Sequence, residues 1–111
     1  MKKKHFIYVC SPLRGDIERN TNRAIRYSRF VFSSGGIPMT PHVYFTTFLD
    51  DTIPEERAAG IEMGNQMLQI CEELWAFGEK VSEGMATEIT AAKKLGLKVR
   101  WFNDRCEPVD G

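Results

Sequence analysis

The chain has 111 residues, 42% of them apolar and 27% charged, and its 15 basic residues match 15 acidic ones. That length suits a single domain, residues 1–111, with one core and little beyond it. A formal charge of zero argues against a nucleic-acid polymer as partner but not against a local anion pocket, and no apolar run reaches the ~18 residues of a membrane span.

Lys2 to Lys4 form the one basic cluster, read as a solvated tail, and no signal-peptide pattern accompanies it. "HFIYVC" (5–10) is a continuous apolar run too short for a helix, so it reads as a strand buried on both faces. After the loop "SPLRGD", a helix is expected from Asp16 to about Ser33, where "SSGG" stops it. "IPMTP" follows as a short extended piece whose two prolines suit a sheet edge. "HVYFTTFLDDT" is ambiguous between a loop and a short helix. Pro54 opens the next helix, which runs to about Ile70 and is expected to present Met63, Met67, Ile70 and Cys71 on one face. "ELWAF" is a second buried strand, residues 83–95 a helix closed by Lys93, Lys94 and Gly96, "LKVRWF" the last strand, and "NDRCEPVDG" a tail.

Strand and helix alternate throughout. The fold class is therefore α/β: a small three-layer, Rossmann-like (flavodoxin-like) sandwich with four or five mainly parallel strands. Ligands of such sheets bind beyond the carboxyl ends of the strands. That brings "SPLRGD" and "GEKVSEG" to one crevice.

Ser82 is a candidate N-cap, its hydroxyl accepting from the amide of Met85. Gly84, in the first turn, costs about 1 kcal/mol relative to alanine, which suggests that its missing side chain is used. Glu88 lies four residues later on the same face, so a ligand lying across Gly84 would meet its carboxylate. Free amides at the helix start suit an anionic group, and Arg14 in the opposite loop adds a forked cation. The other arginines of this region, at 19, 23, 26 and 29, read as a solvated or subunit-facing surface.

Tyr8 offers a phenol from the central strand, as a core side chain or a functional one. His42 is a general acid or a loop histidine. Neither GxGxxG nor GxxxxGK[ST] is present, so no dinucleotide cofactor or NTP hydrolysis is expected. Cys10, Cys71 and Cys106 are odd in number and form no CxxC pair; they read as reduced thiols of a cytoplasmic protein. Cys10 lacks a histidine partner, and two histidines give no zinc-ligand spacing.

"IYVCSPLRGD", "CEELWAFGEKVSEGMATEI" and "AKKLGLKV" resemble the nucleoside 2-deoxyribosyltransferase superfamily. The nearest likeness is to its small bacterial and phage members and to the deoxynucleoside 5′-monophosphate N-hydrolases. The resemblance runs from Phe6 to Trp101 and is poor between residues 40 and 60. It implies Glu88 as a nucleophile attacking the anomeric carbon of a deoxyribosyl group, with Tyr8 as the catalytic tyrosine beside it. It implies Ser82 and Arg14 as ligands of a 5′-phosphate. The two matching loops then supply the substrate- and phosphate-binding set: Ser11, Leu13, Arg14 and Gly15 from one, Ser82, Gly84 and Met85 from the other.

The superfamily's acid near the base has no clear counterpart; Glu62 and Asn65 are the candidates beside His42. Glu72 stands for an aspartate at the entrance of the strand and reads as structural. The chemistry fits these residues independently, because a carboxylate stabilises or captures the positive charge that builds on a sugar losing its base.

The expected function is N-glycosidic cleavage or base exchange on a 2′-deoxynucleoside or its 5′-monophosphate. The alternatives are a non-catalytic nucleotide-binding module and an interaction domain. Phe45, Phe48, Trp101 and Phe102 look like more aromatic surface than one small core covers. That predicts a homodimer or higher oligomer, with the 42–52 segment or the end of the last strand near the shared edge of the crevice.

Overall fold

Apolar side chains on both faces put the strand Phe6–Cys10 (β1) at the centre of a four-stranded parallel sheet. The computed structural model describes residues 3–111, so Lys2 lies outside the described residues. The strands Ile37–Met39 (β2), Glu73–Phe77 (β3) and Lys98–Phe102 (β4) complete the sheet in the order β2-β1-β3-β4. Tyr8 pairs with Met39 on one side and Leu74 on the other, and Leu74 pairs with Val99. β2 is the edge that the prolines suggested, with Pro38 inside it.

The helices are Ile17–Ser33 (α1), Pro41–Tyr44 (α2), Pro54–Gln69 (α3) and Glu83–Lys94 (α4). The ambiguous segment forms α2 and a 3₁₀ turn, Phe45–Thr47. Pro41 fits the first turn of α2, where a missing N–H costs nothing.

Strand alternation divides the core in two. Ile7, Val9, Trp75, Phe77 and Phe102 face α1 and pack on Tyr27 and Val31. Tyr8, Cys10, Leu74 and Ala76 face the other way, onto Leu68 of α3 and Met85, Ile89 and Ala92 of α4. From β1 the chain first steps outward to β2 and then returns across to β3. Right-handed crossovers therefore put α1 and the later helices on opposite faces, and a crevice opens between the carboxyl ends of β1 and β3.

Three expectations are corrected. The fully buried residues of α3 are Gly64 and Leu68, and the expected Met67 and Cys71 do join that core. Ile70, however, is 57% exposed, because the helix ends at Gln69 and Ile70 is the capping residue beyond it. The tail is not free: Pro108 bridges Phe102 antiparallel, the Val109 amide donates to the Trp101 carbonyl, and the Asn103 amide donates to the Glu107 carbonyl. Of the four aromatics read as surface, Phe102 is buried, and Trp101 is half-buried against the α3–α4 core. Phe102 ends the strand on the α1 face, where it stacks on Phe77 at 5.1 Å.

Candidate active site

A cavity of about 560 Å³ lies beyond the sheet, between the loop after β1, the α2–α3 segment and the start of α4. That volume is within the range of small-molecule sites. Ser11, Leu13, Arg14, His42, Asn65, Ser82, Gly84, Met85 and Glu88 all line it. Gly15 instead turns the loop, with φ at +102°, and Glu62 lies exposed on α3, away from the lining. Glycine is suited to that backbone region because it lacks a Cβ.

The start of α4 is built as its sequence suggests. Ser82 caps the helix, accepting the Met85 amide at 3.2 Å, while the Ala86 amide takes the Ser82 carbonyl. Helix geometry leaves the amides of Glu83 and Gly84 to a ligand. A Cβ placed on Gly84 would meet nothing within 4 Å, so the open space beside it belongs to the cavity. Across the cavity, Arg14 is exposed. The Ser11 hydroxyl is buried and has no hydrogen-bond partner among the described residues. A buried polar group left unpaired costs roughly 1–3 kcal/mol, so a ligand hydroxyl or oxyanion reaching Ser11 would recover that cost.

Glu88 is half-buried, with its carboxylate turned onto β1. The Tyr8 hydroxyl donates to Oε2, and the Cys10 thiol donates to Oε1 at 3.4 Å. Tyr8 and Cys10 share a face because they are two residues apart on one strand. Burial pushes the Glu88 carboxyl above its ordinary range, while the two donors pull it back. Burial first, and then the charge of Glu88, raise both the Tyr8 phenol and the Cys10 thiol well above their usual values. Both therefore keep their protons and remain donors. Sequence reasoning reached Tyr8 but missed Cys10 as a contact of Glu88, although the period-2 alternation of β1 carries that signal.

His42 Nε2 lies 2.8 Å from the Ser11 carbonyl, an acceptor, so this nitrogen carries the proton and donates. Burial, the larger influence, lowers the pKa of the ring below its ordinary value, against the pull of that carbonyl. A neutral ring with its N–H engaged leaves Nδ1 as an acceptor.

Sequence reasoning also missed most of the far wall. Phe45, Leu49 and Ile61 form its apolar part, and Asp51 and Arg57 pair at 3.1 Å beside them. The 40–60 stretch that forms much of this wall has no sustained period to read. Gly64 on α3 passes under Tyr8: a Cβ there would sit 3.5 Å from the Tyr8 hydroxyl. Glu72, read as structural, accepts the Phe6 amide at the start of β1. Among the described residues no group of three or more His, Cys, Asp or Glu side chains is placed to hold a metal ion, and no helix is long and apolar enough to cross a membrane.

Comparison with known proteins agrees with this architecture. A 2-deoxyribosyltransferase from Bacillus psychrosaccharolyticus superimposes with a TM-score of 0.72 at 17% identity, covering 95% of this chain and 77% of that one. A 2-deoxyribosyltransferase from Leishmania mexicana gives 0.59 at 18% identity, covering 89% and 64%. A CMP N-glycosidase from Clostridium botulinum gives 0.54 at 17% identity, covering 88% and 68%. The chain thus has the nucleoside 2-deoxyribosyltransferase-like fold and spans about two thirds to three quarters of those chains. No curated protein matches it by sequence. One family profile, described as a domain of unknown function (DUF7768), matches residues 5–102.

Proposed function

The chain belongs to the DUF7768 family, and from the geometry of its crevice we propose that it cleaves or exchanges the N-glycosidic bond of a 2′-deoxynucleoside or its 5′-monophosphate, with Glu88 as nucleophile. The observation that carries this reading is a carboxylate at the edge of a nucleoside-sized cavity, held through both oxygens by proton donors of the central strand. A Glu88 oxygen forms a bond to the anomeric carbon as the carbon–nitrogen bond breaks. The electron pair leaves with the base, which takes up a proton from solvent. Water, or a second base, then attacks the same carbon, releases the carboxylate and gives up its own proton. The fold relatives named for deoxyribosyl transfer and for N-glycosidase activity support this class of reaction.

Chromatography for free base, after incubation with a panel of deoxynucleosides and deoxynucleotides, tests the reading directly. Base release is expected. Binding without release would make the chain a nucleotide-binding module, and neither would leave an interaction domain.

A 5′-phosphate is the expected anion. Arg14, the Ser82 cap and the free amides of α4 face one cavity, and together they suit a dianion better than a neutral hydroxyl. The CMP N-glycosidase among the fold relatives is named for such a monophosphate. Calorimetry should show 5′-monophosphates binding at least tenfold more tightly than the matching nucleosides, roughly one charge-assisted contact's worth. Arg14→Ala should erase most of that preference. Equal binding of both by the unaltered protein would return the site to a nucleoside.

A homodimer or larger assembly is part of the same proposal. Tyr44 and Phe48 are 61% and 55% exposed; Phe48 packs edge to face with both Tyr44 and Phe45, and Phe45 lines the cavity. A second copy covering this cluster would bury it and close the rim. Light scattering at tens of micromolar should give at least twice the 12.7 kDa of the chain; a monomer there would refute the assembly.

A further inference from the structure

We propose that Cys10 is a positioning residue for Glu88, a thiol that aims the carboxylate without disarming it. This rests on the glycosidic reading above and deepens it.

The geometry gives each carboxylate oxygen its own donor from β1. Tyr8 holds Oε2 and the Cys10 thiol approaches Oε1 at 3.4 Å; the carbonyl of Met85, 3.9 Å from the same sulfur, is the other acceptor within its reach. One donor alone would leave the carboxylate free to swing about that bond. Two donors on neighbouring inward positions of one strand fix its plane.

The two donors differ in strength. A phenol is a strong donor and draws electron density from Oε2, whereas a thiol is a weak one. Oε1 is therefore the oxygen that is aimed but stays electron-rich, which is the condition for attack on an electrophilic carbon. Cys10 is fully buried and paired with Ala76 in the sheet, so its position is set by the backbone. Its own nucleophilicity is suppressed, because burial and the neighbouring carboxylate keep it protonated. A cysteine in a crevice suggests a nucleophile; here the thiol serves the carboxylate instead.

The surroundings of Glu88 leave this effect readable. Tyr8 and Cys10 are the titratable groups that touch it. Cys71, after α3, acts on Tyr8 rather than on Glu88. His42 from α2, Arg14 from the loop, Glu83 from α4 and Glu56 from α3, which accepts the Asp50 amide, line the same cavity, as does the paired Asp51–Arg57 couple at the head of α3. Where α3 passes Tyr8 it contributes Gly64, which does not titrate.

The test compares Cys10→Ala and Cys10→Ser with the unaltered protein, following the Glu88 carboxyl by carbon NMR of protein labelled at glutamate and assigned with Glu88→Gln. Removing a donor to the ionised form raises the pKa, so Cys10→Ala should titrate at higher pH than the unaltered protein. Cys10→Ser, which keeps a donor on the same Cβ, should titrate below the alanine variant. In base release, Cys10→Ala should lose roughly three- to tenfold in kcat with KM little changed, the scale of one weak orienting hydrogen bond. A Glu88 titration that does not move in folded Cys10→Ala overturns the proposal, whatever the turnover. So does a serine variant that titrates like alanine. The titration needs no substrate: a protein that released no base would fail the glycosidic reading, while the Cys10 contact would stand or fall on the NMR shift alone.

Discussion

Glu88→Gln should keep its fold and lose roughly two to four decades of base release, the scale of removing one catalytic group. Glutamine matches the carboxylate in shape and still accepts from the Tyr8 hydroxyl through its amide oxygen, so the crevice is preserved. What it lacks is the charge that captures the anomeric carbon. The same residue sets the acid limb of the rate. Burial holds the folded Glu88 carboxyl above its ordinary range, so the nucleophilic form is lost as pH falls through that raised value. The limb should therefore lie above the ordinary carboxylate range and vanish in Glu88→Gln.

The sign for stability is the reverse. A carboxyl whose folded pKa is raised contributes stability below its unfolded pKa and loses that contribution as pH rises through the folded one. The ionised Glu88 is thus a cost at neutral pH, and Glu88→Gln should melt higher than the unaltered protein at pH 7. In acid, where both side chains are neutral, the two should converge. A folded glutamine variant that releases base at the original rate would remove Glu88 from the mechanism. A neutral-pH melt lower than that of the unaltered protein would show that the fold does not hold the carboxylate at a cost.

Phe77→Ala should destabilise the fold by about 3–5 kcal/mol, a large share of the ~5–15 kcal/mol that domains of this size have to lose. Phe77 has no exposed surface; it stacks on Tyr27 at 4.4 Å and on Phe102 at 5.1 Å. Phe30 meets it edge-on. Removing the ring leaves a void between strand and helix that α1 cannot close, because the ring joins β3, β4 and α1 at one point. Phe77 lies on the face away from Glu88, so base release at temperatures where the variant is folded should change far less than its urea midpoint. A loss under 1 kcal/mol would mean that the aromatic cluster repacks freely.

The sequence by itself determined the four strands, the three long helices and the loops that meet at the crevice. Period, apolar content and local caps are short-range signals, and each was present: short apolar runs for β1 and β3, a serine cap at Ser82, a cationic turn and Gly96 closing α4. The distance from Ser82 to Glu88 is likewise local, because one helix sets it. Tertiary structure alone decided what converges from far along the chain. Cys10 and Glu88 are 78 residues apart and Tyr8 and Glu88 are 80 apart, and their contacts exist only because α4 packs on the β1 face that carries both. The 40–60 stretch lacks any sustained pattern because its side chains serve the rim of a cavity rather than one buried stripe. Ile70 misled for a related reason: hydrophobicity says that a residue can be buried, but only the end of α3 decides that this one is not. The fold of the tail onto Trp101 and Phe102 was invisible too, since it depends on an open edge of β4 that no residue in the tail announces.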